Sequence, residues 1–453
     1  MMQDITTRLC QFVAELRYEN LDAATVEQVK LFIADYYAAC YAGYRINTAL
    51  NEPVMKRMTA MGGTPRATVL FSDRKMPETN AAFLNALYAH GADMDDGNRK
   101  AAGHIATHVM PAVFALAETL EGVTWQEVFT ALVAGYDVFN RVVGAAQPGM
   151  YNKGFHSTGI GGGIACAAAC AKLMGLDAEG IYNAVSLAAI QSSGLIIIDE
   201  SGQGCKPINP ANGARIGLES AQLAALGVES SRNPLESKKG WFNAFAITAD
   251  ETVLFEGLGK TFTINESYLK LYPSCRHTHC GIDAAVAIRR RMEADGVGLD
   301  AVETIEVTIY PSAIKSTGHT PYPTTVDQAK FSLHYCLAAA LEKGEFGLAE
   351  LEVSSCRLTN VLVPKIRVMP DDELENRAKG IRGAVVTVTA GGKTYTETVL
   401  TPKGEGEKRL SWEDLEVKFR QCAEGMKNRQ QVAEMIARIR AIAPEAPYTN
   451  ILS

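Results

Sequence analysis

The chain has no C-x-x-C pair and no apolar run that reaches the ~18 residues a bilayer-spanning helix needs. Its ten cysteines include two close pairs, but Cys166 and Cys170 are four residues apart and Cys275 and Cys280 are five apart. A zinc ribbon or an iron–sulfur triplet is thereby disfavoured. Cys10, Cys40, Cys166, Cys170 and Cys336 sit in apolar, helix-like surroundings, where a free thiol acts as a small core residue. No apolar h-region follows the opening Met-Met-Gln-Asp-Ile-Thr-Thr-Arg, so the expectation is a reduced, cytoplasmic protein without a membrane partner. Net positive charge is lacking too, at −7, with a pI near 5.7. Nothing global attracts nucleic acid, and positive charge for an anionic ligand must be local. No Gly-Lys-Ser/Thr follows the glycines at 159–163, and a His-Glu-x-x-His motif, alternating βαβ units, internal repeats and low-complexity tracts are likewise missing.

What is present is a globular composition, 47% hydrophobic and 21% charged over 453 residues, enough for two or three domains at ~150 residues each. Up to about residue 260 the pattern is helix after helix. Val109, Val113, Leu116 and Leu120 form one helical face after His104, and 125–143, 178–189 and 211–225 read similarly. Near Ser267 the pattern changes. Val302 to Ile309 alternates in part, and Ala384 to Val388 alternates before the turn dipeptide Gly391-Gly392, with helical pieces over 282–292 and 329–341. After Thr401 helix returns, opened by a Ser411/Asp414 capping box and continued by the stripe Val432, Met435, Ile436 and Ile439. The expected fold is mostly α: a large all-helical domain from 1–266 and 401–453, plus a smaller α/β domain over 267–400.

Unusual polarity gathers in four segments. The first, His90 to His108, places Asp93, Asp95 and Asp96 before Asn98, Arg99, Lys100, His104 and His108. It reads either as a loop presenting acids and bases or as a solvated loop with a capping aspartate. Gly103, just ahead of a helix, leaves amides open to an anion. His104 and His108 share a helical face, but Ile105 stands where a metalloprotease needs glutamate, which disfavours metal. The second segment, Lys153 to Cys170, is a helix of small residues with His156 in its first turn, where the dipole favours neutral imidazole and suits a general base. A satisfied capping histidine is the alternative. In the third, Asp199 to Pro210, Lys206 stands in a Pro-flanked stretch, as a fixed cation or an exposed lysine. The fourth, Lys270 to Asp283, packs Lys270, Arg276, His277 and His279 at the junction of the two regions, where ligand clefts form.

Together H-G-A-D-M-D-D, G-H-I-A-T-H-V-M-P-A, G-F-H-S-T-G, K-P-I-N-P-A-N-G-A-R, Y-P-S-C-R-H-T-H-C-G-I-D-A-A and Q-A-K-F-S-L-H-Y resemble the MmgE/PrpD family, in order along nearly the whole chain. That family includes 2-methylcitrate dehydratase, cis-aconitate decarboxylase and iminodisuccinate epimerase. The resemblance implies a helical domain with an α/β lid, a homodimer, and catalysis on a small di- or tricarboxylate without cofactor or metal. Asp93, His104, His156, Lys206 and Lys270 match the family's active-site positions; Asn98, Arg99, Arg276, His277 and His279 are expected to line the same cleft. The decarboxylase branch carries a histidine in the place of Cys275, a threonine in the place of Gly97, and a tyrosine near Thr317.

Proton removal beside a carboxylate piles up negative charge, so preorganised cations lower the barrier most; Lys206, Lys270 and Arg276 are the candidates. His104 and His156 would act as base and acid, in an order the sequence leaves open, with Asp93 orienting an imidazole or a lysine. The leading expectation is dehydration of a 2-methylcitrate-like hydroxy acid. Epimerisation or decarboxylation on the same scaffold, a non-catalytic polycarboxylate-binding protein and a metal hydrolase are the alternatives.

Overall fold

The structure, a computed structural model, describes residues 4–197, 204–376 and 381–451. It is mostly helical and holds two hydrophobic cores. One gathers side chains from Ile5 to Leu269 together with Leu410 to Ile451; the other runs from Tyr272 to Val399. The first core is built from helices α1 (Ala23–Ile46), α2 (Glu78–His90), α3 (Ala106–Ala117), α4 (Trp125–Ala145), α5 (Ser157–Leu173) and α6 (Ile208–Ala225). No helix among the described residues is long and apolar enough to cross a membrane.

Helix α5 owes its central place to its small residues. A Cβ on Gly217 of α6 would lie 2.3 Å from the Cys166 Cβ and 2.6 Å from the Gly163 carbonyl oxygen, so the backbones of α5 and α6 meet with no room for a methyl group. Gly217→Ala is expected to cost about 1–3 kcal/mol through overpacking. A urea midpoint equal to that of the parent chain would show that the two helices separate freely.

The second core lies under a four-stranded sheet of β1 (Val302–Ile309), β2 (Ile366–Pro370), β3 (Ala384–Ala390) and β4 (Lys393–Val399). Its order is β2-β1-β3-β4, with β1–β2 parallel and the other pairs antiparallel. Gly391 and Gly392 join β3 to β4 with φ of 56° and 73°, the left-handed values that a two-residue hairpin loop requires. Ile305, Val307 and Ile309 pair with Val388, Val386 and Ala384 and turn into the core, under α7 (His279–Ala294) and α8 (Leu333–Lys343).

The helix expected over 329–341 is divided in two. A short turn ends at Ala329, and α8 begins only after Ser332, whose hydroxyl accepts the Tyr335 N–H at 3.1 Å. Apolar periodicity runs through this break, because Phe331 packs although it is not helical. The chain then returns to the first core as α9 (Trp412–Cys422) and α10 (Arg429–Arg440). Helix α9 opens with the Ser411/Asp414 capping box, and the four apolar residues of the α10 stripe are buried.

Candidate active site

Helix α2 ends at His90, and the next six residues form a tight loop in which Asp93 adopts φ 52°, a left-handed conformation that aspartate tolerates better than most side chains. The turn aims the Asp93 carboxylate at two ammonium groups. Lys206 Nζ donates to Oδ1 at 2.7 Å, and Lys270 Nζ lies 3.1 Å from Oδ2 while donating to the Asp93 carbonyl at 2.5 Å. Burial alone would raise the Asp93 pKa, but Lys206 and Lys270 outweigh it and hold the carboxyl well below the usual carboxylate range. Asp93 therefore stays ionised between two cations.

The three aspartates of this segment have three different tasks. Asp95 pairs with His90, whose Nδ1 lies 2.8 Å from Oδ2. Asp96 accepts the Ile105 and Ala106 N–H groups at 3.1 and 2.9 Å and the Tyr136 hydroxyl at 2.7 Å. Asp96 thus caps the start of α3, and burial pushes its pKa up to about 7. The amides expected to stand open beside Gly103 are already taken by the Asp96 side chain.

His104 is enclosed, and burial holds its pKa well below the ordinary imidazole range. Its Nδ1 lies 2.7 Å from the Asp96 carbonyl oxygen, which can only accept, so Nδ1 carries the proton and Nε2 keeps a lone pair. That lone pair faces Asp93 Oδ1 at 3.7 Å, and the Asp95 carboxylate stands 3.5 Å from Nδ1. His156 has the opposite tautomer. It precedes α5, and its Nδ1 accepts from Asn209 Nδ2 at 3.0 Å, an amide nitrogen that also donates to the Leu195 carbonyl, so Nε2 carries the proton. Burial keeps His156 neutral as well. His90 lies between the two, with ring centroids 4.8 Å from His104 and 6.1 Å from His156.

Of the remaining expected residues, Arg99 and Arg276 meet at Glu405 rather than at Asp93. Arg99 and Arg276 approach its two oxygens at 2.5 and 2.7 Å, and Tyr268 stacks over Arg276 at 4.4 Å. Arg276 also donates to His279 Nδ1 at 2.9 Å, which leaves the opposite nitrogen to donate to the Ser274 carbonyl. His277 shares a 2.7 Å hydrogen bond with Tyr310. Asn98 accepts the Ala101 N–H at 3.1 Å, tying its side chain to its own loop. A cavity of about 820 Å³ lies on this side, lined by Asn98, Arg99, Ser267 and Glu405 but by none of Asp93, His104, His156 or Lys206. Of the third segment, residues 199–203 lie outside the described residues.

His108 separates from His104. It is buried against Cys166 Sγ at 3.5 Å and the Phe139 ring, and burial pushes its pKa down to about 3. The unfolded chain takes up this proton near pH 6.5, so the group supports the fold above that pH and its support fades on acidification. His108→Gln is expected to remove about 2 kcal/mol of the stability difference between pH 7 and pH 5. Urea titrations at both values check this, and an unchanged difference would mean that His108 titrates normally. Among the described residues His90, Asp93, Asp95 and His104 have ligand atoms within 4.8 Å of one another, near enough for a metal ion. The two lysines on Asp93 would repel such a cation from the same oxygens.

Sequence reading placed His90 and Asp95 in the polar segment that supplied Asp93 but gave neither of them a role. Tyr268 was missed as well: its phenol lies where a Gly97 side chain would go, 2.5 Å from the position of a Cβ.

Residues 7–253 match the MmgE/PrpD N-terminal domain, and residues 272–441 match the MmgE/PrpD C-terminal domain. The chain belongs to the MmgE/PrpD family. Among MmgE/PrpD relatives, cis-aconitate decarboxylase of Homo sapiens is 26% identical over 461 residues, 96% of this chain and 91% of its own. The Mus musculus and Aspergillus terreus proteins of the same name are each 25% identical, covering 96% and 95% of this chain and 90% and 91% of theirs.

Proposed function

We propose that this MmgE/PrpD protein is a cofactor-independent lyase that removes a proton beside a carboxylate of a small di- or tricarboxylate. The observation that carries this reading is the convergence of Lys206 and Lys270 on Asp93, next to an imidazole whose free lone pair faces the same point. The lysines supply fixed positive charge where a carboxylate gains electron density, within a largely buried site. His104 is the base. Protonated at Nε2, it becomes an imidazolium whose Nδ1–H is held by the Asp96 carbonyl beside the Asp95 carboxylate. His156 Nε2–H donates a hydrogen bond to the leaving oxygen without giving up its proton.

Dehydration of a 2-methylcitrate-like hydroxy acid suits this set. The C–H electron pair becomes the C=C bond, the hydroxyl leaves, and the proton gathered at His104 is available to convert it to water. Two features favour dehydration over decarboxylation. Tyr268 fills the space beside Gly97 where the decarboxylase branch carries a threonine, and Thr317, near the place of its tyrosine, is buried with its hydroxyl on the Ala313 carbonyl. The names of the relatives favour the second reading, decarboxylation of a cis-aconitate-like acid.

Incubation with 2-methylcitrate, cis-aconitate and iminodisuccinate separates these readings through alkene absorbance, carbon dioxide release and deuterium incorporation. Alkene formation from 2-methylcitrate supports dehydration. Carbon dioxide from cis-aconitate, with 2-methylcitrate untouched, would replace it by the second reading, and deuterium exchange without net loss would point to epimerisation.

A further inference from the structure

The loop that carries Asp93 is gripped by three lysines from three distant parts of the chain. Lys330 Nζ donates to the Gly91 carbonyl at 3.0 Å, Lys270 Nζ to the Asp93 carbonyl at 2.5 Å, and Lys418 Nζ to the Met94 carbonyl at 2.8 Å. Their exposures are 5%, 1% and 0%. Lys330 comes from the break ahead of α8, beside Phe331, whose ring stacks with Lys206 at 5.2 Å; Lys418 comes from α9, in the returning C-terminal segment. Each carries its own counter-charge. Asp327 lies 2.6 Å from Lys330, and Asp35 of α1 accepts from Lys418.

Buried carbonyls need partners, and in most loops neighbouring amides serve. Here the partners are ammonium groups, which bind carbonyls more strongly than amides do and add positive potential around Asp93 and Asp95. The base of the loop has no slack, because Gly91 packs so closely on α1 that an added Cβ would sit 2.7 Å from the Gly43 Cα. The left-handed turn at Asp93 is thus fastened from below by α1, from the C-terminal side by Lys418 and from the second core by Lys330.

We propose that Lys330 and Lys418 are positioning residues: they act through the Gly91 and Met94 carbonyls to hold Asp93 and Asp95 where Lys206, Lys270 and the histidines meet them. The assignment rests on the reading of this loop as the polycarboxylate site. It makes the site conditional on assembly, complete only when both the α/β segment and the C-terminal segment are docked.

The test uses K418M, K418R and K330M in the full chain, with imidazole resonances of the eight histidines assigned by single His→Gln variants. In K418M and K330M the His90 and His104 signals are expected to shift while that of His319 stays, and K418R is expected to restore them. Affinity for tricarballylate, a non-reacting tricarboxylate, measured by calorimetry, should fall about tenfold or more in both Met variants, since small misplacements of binding groups are costly. A folded K418M or K330M with His90 and His104 signals superimposed on those of the parent would overturn the proposal for that lysine. Should K418M fail to fold, K330M tests the mechanism from outside the first core. If the parent chain binds no tricarballylate while the resonances move as expected, the polycarboxylate reading fails and the positioning assignment stands.

Discussion

His104→Gln is expected to lower turnover of the polycarboxylate substrate by about 100- to 10,000-fold, the range that a positioned general base contributes. The geometry behind this number is specific. The Asp96 carbonyl fixes the tautomer of His104, and the lone pair on Nε2 is left over the point where Lys206, Lys270 and Asp93 converge. Glutamine fills similar space and hydrogen-bonds, but it has no basic nitrogen. The loss should fall on kcat, with KM moving only a few-fold, because the lysines proposed to meet the substrate carboxylate are untouched. Burial keeps His104 neutral well below pH 6.5, so the parent enzyme should retain its active base into mildly acidic solution. Steady-state kinetics on the acid identified by the substrate screen decide the matter. A kcat within threefold of the parent would remove His104 from the role of base.

Asp93→Asn is expected to destabilise the protein by about 3–5 kcal/mol at pH 7, the cost of leaving buried charges unpaired. Lys270 is 1% exposed at its side chain and Lys206 14%, so water replaces the lost carboxylate poorly, least of all at Lys270. Asparagine keeps the shape and one acceptor oxygen but not the charge, leaving both ammonium groups beside a neutral amide. The pH dependence follows from the direction of the shift. The Asp93 pKa is depressed in the folded chain, so its contribution is present above the unfolded carboxylate value of ~3.9 and fades as pH falls through the lower folded value. The deficit of the variant should accordingly stay constant from pH 6 to 8. Adding Lys206→Met to Asp93→Asn should recover part of it, since removing both members of a buried pair costs less than removing one. Urea midpoints of the three proteins measure these terms. A deficit below about 1 kcal/mol would show that the lysines find other compensation.

Helices were the most legible part of the chain. Apolar stripes at helical spacing mark α3, α4 and α10, and the Ser411/Asp414 capping box marks the start of α9. These signals are local: each depends on side chains within one or two turns. The break at Ser332 escaped because burial of Phe331 preserves the stripe while the backbone leaves the helix. Lys418 gave no signal. In an amphipathic helix a lysine is ordinarily a surface residue, and only the approach of Asp35 and Met94 from elsewhere in the chain makes it a buried cation.

By itself the sequence determined the family, the mostly helical class and the segments in which chemistry-bearing residues stand, because motifs and periodicity are properties of neighbouring residues. The absence of net positive charge said only that any cation for an anionic ligand must be local. Tertiary structure decided the rest: which of three adjacent aspartates pairs with lysine, which with histidine and which with a helix start, and which ring nitrogen of His104 and His156 carries a proton. Those distinctions come from partners 5 to 177 residues away. Charge and tautomer in a buried site are set by what folding brings within about 3 Å, and no local pattern encodes that.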